Sequence, residues 1–288
     1  MEVAFILVNF HKAARAVESI RSLSRQEAAC SSRFVVLDNS VSKQQADILR
    51  AEVEQVNGNL VVAAKNLGYV KGINLGAQIA GAFDYLVLVS PDIIVEETNV
   101  VKKMVSLMET DASIGVLGTI QYNDDGSTAE IARRFPSPIR MVRRRLSRGA
   151  KNDLDLLQPL ASEGSRGIID VDWVQSSFVM IRRSLWDTIE GLNERYFVFM
   201  ADVDLCLRAH ERGMRVALTS AVKVRADGVR ASRGGILDIF LSKALRFHIR
   251  DAILYFLHNG LVPRKQREVG RDRSLLKTSA KGILDELQ

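Results

Sequence analysis

Cysteine is nearly missing from this chain. Cys30 and Cys206 are the two present in 288 residues, which excludes a disulfide framework and suits a reducing, cytoplasmic setting. No run of about 18 apolar residues occurs, so no membrane-spanning helix is expected. The opening MEVAFILVNFH holds an apolar run of only about six residues, too short for the apolar region of a signal peptide, and it reads as a buried first strand. The four histidines, His11, His210, His248 and His258, are scattered and fit no metal-ligand spacing. Neither the dinucleotide fingerprint nor the phosphate loop of nucleotide triphosphatases appears.

Acidic residues are absent from one whole segment. Between Ile131 and Asn152 stand eight basic residues, Arg133, Arg134, Arg140, Arg143, Arg144, Arg145, Arg148 and Lys151, with no carboxylate among them. A second basic region runs from Lys243 to Lys281, and the whole chain carries a formal charge of +6. Such fields attract phosphate, whether on a nucleotide, a nucleic acid or an anionic lipid surface. Only Phe135 interleaves the first run with an aromatic ring, and no nucleic-acid-binding motif accompanies it, so no nucleic-acid partner is expected.

At 47% hydrophobic and 26% charged residues, the composition is that of an ordinary globular protein, long enough for one large domain with a small appendage. Short apolar runs at 3–8, 34–37, 60–63, 85–89 and 115–120 alternate with helical spacing over 12–25, 42–55, 70–80 and 96–108. Continuous Val/Ile/Leu runs of this kind mark strands covered on both faces, and the alternation implies a doubly wound, mostly parallel α/β sheet. Ligands of such sheets sit beyond the carboxyl ends of the strands, which singles out Asn9-Phe10-His11, Asp38-Asn39-Ser40, Lys65-Asn66 and Ser90-Pro91-Asp92. Residues 126–170, with three prolines, several glycines and the basic run, read as a loose excursion. Order is expected to return with a strand at 177–181, a helix from Ser184, a strand at 214–218 and a long amphipathic helix at 236–258.

The glycines of NLGYVKGINLG recur every four residues at 68, 72 and 76, on one helical face, where a backbone can approach a neighbour closely. In FMADVDLCLRAHERGMRV, Asp202 and Asp204 open a helix directly after an aromatic run. Two readings follow from the residues alone. Asp202 caps the helix while Asp204 pairs with Arg208 four residues on, or Asp202 is a base kept beside an apolar approach.

Taken in order, the segments LDNS (37–40), NLGYVKGINLG (66–76), SPD (90–92), VDWVQSSFVMIRRSLW (171–186), GLNERYFVFMADVDLCLR (191–208) and RGMRV (212–216) resemble the inverting family 2 glycosyltransferases, particularly their bacterial rhamnosyltransferase-like branch. The resemblance covers about residues 3–232 and implies a GT-A fold over 1–232, followed by a basic, amphipathic helical extension over 233–288. It implies Asp202 as the catalytic base and Asp92 as the ligand of Mg2+ or Mn2+. Asn9, Phe10, Asp38, Asn66 and Asn74 would lie along the nucleotide. It also implies a nucleotide-sugar donor, with rhamnose the sugar suggested by the resembled branch, and a saccharide or lipid-diphosphate-linked acceptor for cell-surface polysaccharide. The setting would be the inner face of the plasma membrane, where the basic helix meets anionic lipid. An oligomer is compatible with all of this.

Three positions depart from the family pattern. Ala201 stands where a glutamate is usual, and Ile73 where a polar residue is common. Arg225 lies nearest the histidine that often completes the metal site, and arginine cannot ligate a metal but can hold a diphosphate. These departures leave open a metal-independent enzyme, and also a scaffold that binds nucleotide sugars or saccharides without catalysis.

Overall fold

The computed structural model describes residues 1–27, 31–138, 141, 167–228 and 243–260. Its centre is an eight-stranded sheet in the order β3-β2-β1-β4-β9-β5-β10-β7. The first four strands along the chain, β1 (Glu2–Asn9), β2 (Ser31–Asp38), β3 (Asn59–Val62) and β4 (Tyr85–Val89), are mutually parallel. Then come β5 (Ile114–Asn123), β9 (Phe178–Arg182) and β10 (Arg215–Ala226), with β7 (Ile168–Asp170) at the far edge. A separate pair joins β6 (Ala132–Arg133) to β8 (Trp173–Val174). The interior of β4 is wholly buried and that of β1 nearly so, as their uninterrupted apolar runs require.

Helices cover both faces. On one side α1 (Ala13–Ser24), α2 (Lys43–Gln55) and α4 (Val100–Thr110) bury Ile20, Leu49 and Met104 against Phe5, Val36 and Val87. On the other lie α3 (Gly68–Ala80), α5 (Arg183–Thr188), α6 (Ala201–Glu211) and α7 (Lys243–Asn259). This is the mostly parallel, doubly wound arrangement that the sequence implies.

Three features differ from the sequence expectation. Strand β9 runs antiparallel to both its neighbours, β4 and β5. A continuous apolar run reports burial on two faces and carries no information about direction, so the sequence could not distinguish it from the parallel strands. Strand β10 continues past a bulge between Thr219 and Lys223 to Ala226, well beyond the apolar run that marks its start. The first part of the expected loose excursion is packed: Ile131, Ala132 and Phe135 are buried. Glycine and proline there punctuate the chain without removing its apolar anchors. The basic residues 140, 143–145, 148 and 151, Cys30, residues 236–242 of the expected long helix and the chain after 260 lie outside the described residues.

The glycine repeat is used for packing. A methyl group at Gly76 would lie 2.5 Å from Ile6 Cγ2, and one at Gly72 would lie 3.0 Å from Val8. Helix α3 therefore rides directly on β1, which draws the amino end of the helix toward the carboxyl edge of the sheet. We expect Gly76→Ala to destabilise the fold by about 1–3 kcal/mol through overpacking, read as a lower denaturation midpoint at unchanged m-value.

Candidate active site

The strand ends converge on one edge. Asn9 of β1 pairs with Asp38 of β2, Val89 of β4 with Phe178 at the start of β9, and Ala226 of β10 with Asn123 of β5. Because β9 is reversed, its amino end, not its carboxyl end, reaches this edge, and Ser90 N–H donates to Ser177 O at 2.7 Å. A cavity of about 790 Å3 opens there, within the roughly 300–1,000 Å3 typical of ligand sites. Lys12, Ser90, Asp92, Gln121, Ser176 and Asp202 line its polar part, while Phe199 and the α7 residues Ile249, Ile253 and Phe256 line an apolar wall.

Asp92 and Asp202, far apart in sequence, thus face one hollow. Asp92 meets Asp227 at its end of the cavity lining, and the Lys12 ammonium reaches both carboxylates: Nζ lies 2.8 Å from Asp227 Oδ2 and 3.8 Å from Asp92 Oδ2. Burial, then the hydrogen bond with Asp227, pushes the Asp92 pKa up to about 6, with Lys12 opposing the rise. Two carboxylates so close need a shared proton or a cation between them. Arg225 does not take part. Its guanidinium is drawn to Glu96 (2.8 Å) and Asp124 (2.5 Å), away from the cavity lining. Asp227, two residues further on, is the side chain that meets Asp92.

Among the described residues no cluster of three or more candidate metal ligands occurs. Asp92 and Asp227 nonetheless present hard oxygen donors side by side, a partial set suited to Mg2+ or Mn2+ when diphosphate and water supply the rest.

Asp202 is the second residue of α6. The helix springs from Met200, held in the left-handed region at φ 63°. Asp202 Oδ1 accepts the Val203 N–H at 2.9 Å. Burial raises its pKa, opposed by that amide and by the positive charge of Arg133. A carboxylate with a raised pKa at a cavity wall has the character of a general base. Asp204 is different: it is buried, takes the Arg208 Nε–H at 2.7 Å and the Tyr196 hydroxyl at 3.2 Å, and Arg208 in turn holds the Ile189 and Gly191 carbonyls. It anchors the helix.

The remaining expected residues divide. Asn9 donates to Asp38 Oδ1 at 2.9 Å and to Ser40 Oγ at 3.1 Å. Asp38 Oδ2 is buried and meets no partner among the described residues. Phe10 stands 53% exposed at the same edge, next to the His11 ring. Asn66 accepts the Gly68 N–H, closing the turn into α3. None of Asn9, Phe10, Asp38, Asn66 and Asn74 lines the cavity, and Asn74 is committed elsewhere. Its amide donates to Leu192 O at 2.8 Å and its oxygen accepts the Leu192 N–H at 2.9 Å, so it braces the loop before α6. Lys12, Asp227 and Tyr69 escape the sequence reading, whereas the amphipathic helix that supplies the α7 wall is expected from it. Lys12 sits one residue past a strand-end cluster that was already singled out, but nothing local marks the others.

A family model described as glycosyltransferase like family 2 matches residues 2–238. The chain belongs to this family. Its fold is the GT-A arrangement: it superposes with a TM-score of 0.59 on the mannosyltransferase PcManGT from Pyrobaculum calidifontis, solved with GDP-Man and Mn2+, at 15% identity over 87% of this chain and 64% of that one. TarS from S. aureus, solved over residues 1–349 with UDP-GlcNAc, gives 0.56 at 13% identity, covering 78% of this chain and 58% of that one. Among curated proteins, the rhamnosyltransferase WbbL of Escherichia coli is 28% identical over 95 residues, 33% of this chain and 34% of WbbL. N-acetylglucosaminyl-diphospho-decaprenol L-rhamnosyltransferase of Mycobacterium tuberculosis (strain CDC 1551 / Oshkosh) is 27% identical over 177 residues, 54% of each chain. The chain thus spans about a third to a half of the length of the curated relatives it matches.

The Asp92 carboxyl sets a pH signature. Its folded pKa of about 6 lies above the ordinary 3.8, so the folded state holds the proton more tightly. The stability this gives is complete below about pH 3.8 and is lost as pH rises through about 6. With chelator present, Asp92→Asn should flatten that part of the Tm–pH profile relative to wild type. A profile with the same slope in both proteins would contradict the assignment.

Proposed function

We propose that the chain is an inverting glycosyltransferase that moves a sugar from a nucleoside-diphosphate donor to a hydroxyl of a saccharide or lipid-diphosphate-linked saccharide. The observation that carries this reading is the shared cavity. Lys12 and Asp92 line one end, with Asp227 against both, and the wall holds Asp202 with its raised pKa.

Asp202 takes the proton of the acceptor hydroxyl as that oxygen attacks the anomeric carbon. The bond from that carbon to the diphosphate oxygen breaks on the opposite face, and its electron pair leaves with the diphosphate. A single displacement inverts the centre and needs one carboxylate only, so the missing glutamate at 201 does not prevent it. The apolar neighbours of Asp202, Phe199 and Met200, keep water from competing for the sugar. Asp38 Oδ2 lies buried and outside the cavity lining, so it would meet an N–H of a nucleobase only once the residues that cover it move aside. Asp92 and Asp227 would hold Mg2+ or Mn2+, which when bound supplies charge neutralisation for the diphosphate. Among the described residues, Lys12 and not Arg225 brings positive charge to the cavity lining.

The apolar wall from α7 supports an acceptor with an apolar part, in keeping with the diphospho-decaprenol substrate in the mycobacterial relative's name. Rhamnose as the donor sugar rests on the names of the two relatives. Along α7, Arg246, Arg250, Ile253 and Leu257 form one exposed stripe, cationic at one end and apolar at the other. Such a stripe suits docking on an anionic membrane surface. No helix of the described residues is long and apolar enough to cross a membrane.

Asp202→Asn should lower turnover by about 10²–10⁴-fold while nucleotide affinity stays within about twofold. If nucleotide sugars bind wild type and none turns over, even with a lipid-linked acceptor, a non-catalytic binding scaffold replaces the enzyme reading. Asp38→Ala should weaken nucleotide binding by about tenfold, measured by calorimetry, through loss of one buried hydrogen bond. Vesicle sedimentation should show preference for anionic over neutral lipid, reduced in Arg246→Glu/Arg250→Glu; equal partitioning would remove the membrane partner.

A further inference from the structure

We propose that Asp251 on α7, outside the segment matched to the family, is the positioning residue for the loop that carries Asp202. Its carboxylate is fully buried. One oxygen, Oδ2, accepts the backbone N–H groups of three consecutive residues, Phe197 at 3.1 Å, Val198 at 3.1 Å and Phe199 at 3.0 Å, and Arg250 Nη1 lies 3.1 Å from Oδ1. Three successive amides can point at one oxygen only if the backbone curls around it, so the carboxylate sets the curvature of this loop. The next residue, Met200, takes the left-handed turn that launches α6, and Asp202 follows two residues later.

The loop is gripped from both sides. Phe197 O accepts the Tyr69 N–H from α3 at 2.8 Å. From α7, Phe247 stacks on Phe197 at 4.4 Å, and His248 meets Phe199 edge-on at 4.7 Å. A buried anion is a costly anchor where an apolar side chain would pack as well, and it is tolerated because the three donors satisfy it. Removing it would leave those donors buried and unsatisfied. Since α7 also provides Ile249, Ile253 and Phe256 to the cavity, the clamp fixes the base and the acceptor wall relative to each other. The region shared with the family, residues 2–238, supplies the base and the α3 side of the grip but not the buried carboxylate.

The inference rests on Asp202 being the base, and the test separates the two. In the full chain, Asp251→Ala should speed hydrogen exchange of the 197–199 amides at least tenfold. It should also lower kcat at least 100-fold, with donor KM within twofold, on whichever of dTDP-rhamnose, UDP-GlcNAc or GDP-mannose the wild type uses. Asp251→Asn keeps an oxygen acceptor in place and should restore kcat to within tenfold of wild type. Leu245→Ala trims the buried face of the same helix but leaves the carboxylate, and should lower Tm without the loss of kcat. Unchanged exchange in Asp251→Ala, or a kcat loss no greater than that of Leu245→Ala, overturns the proposal. If Asp251→Ala does not fold, Asp251→Glu, which moves the oxygen by one methylene, is judged by the same two readouts. If the wild type turns over none of the three donors, it is the glycosyl-transfer reading that fails, and exchange alone decides the clamp.

Discussion

Every carboxylate set into the buried edge of this sheet must be neutralised, and the way each one is neutralised determines what it can do. Asp204 has a guanidinium and a phenol, and Asp251 has three amides. Asp92 and Asp227 have one ammonium between them. Asp202 has the backbone amides of Val203, Ser176 and its own residue, and the positive charge of Arg133. A carboxylate already surrounded by donors has little basicity left, because each hydrogen bond favours its charged form. Asp202, where burial outweighs its donors and raises the pKa, is suited to accept a proton, and the crowded Asp92–Asp227 pair is suited to attract a cation or share a proton.

The same rule separates framework from site among the polar residues. Asn74 and Asp204 have their hydrogen-bonding capacity taken by the protein, in holding the loop before α6 and the helix itself, and Asn66 spends its oxygen on the turn into α3. Asp38 keeps one buried oxygen free among the described residues, although its neighbours Asn9 and Ser40 are close enough to occupy the other. An unsatisfied buried oxygen costs stability unless something outside the protein pairs with it, so its persistence at the strand edge is informative in a way that a fully bonded residue is not.

Geometry at the edge depends on two breaks in regularity. The reversed β9 brings Ser176 and Ser177 to the carboxyl ends of its neighbours, where a parallel strand would have brought Arg182. The bulge in β10 lets the strand resume after the polar stretch at 219–223 and carry on to the position from which Asp227 reaches Lys12 and Asp92. Both features lie where the apolar pattern is silent about direction and register.

Much of the scaffold could be read along the chain. Apolar runs at periods of two and 3.6 are local consequences of burial, so β1, β4, α2 and α3 fall within a residue or two of their expected limits, and the strand-end rule already drew attention to residues 9, 38 and 92. The local order of motifs likewise marked Asp202. What one dimension does not encode is which way a side chain turns and what it meets there. Arg225 turns to two acids brought from 96 and 124, Asn74 to a loop 118 positions away, and Asp251 to amides more than fifty positions earlier. Those pairings arise because hydrogen bonds and ion pairs act over about 3–4 Å in space regardless of chain separation, and only the closed tertiary structure brings such groups within that range.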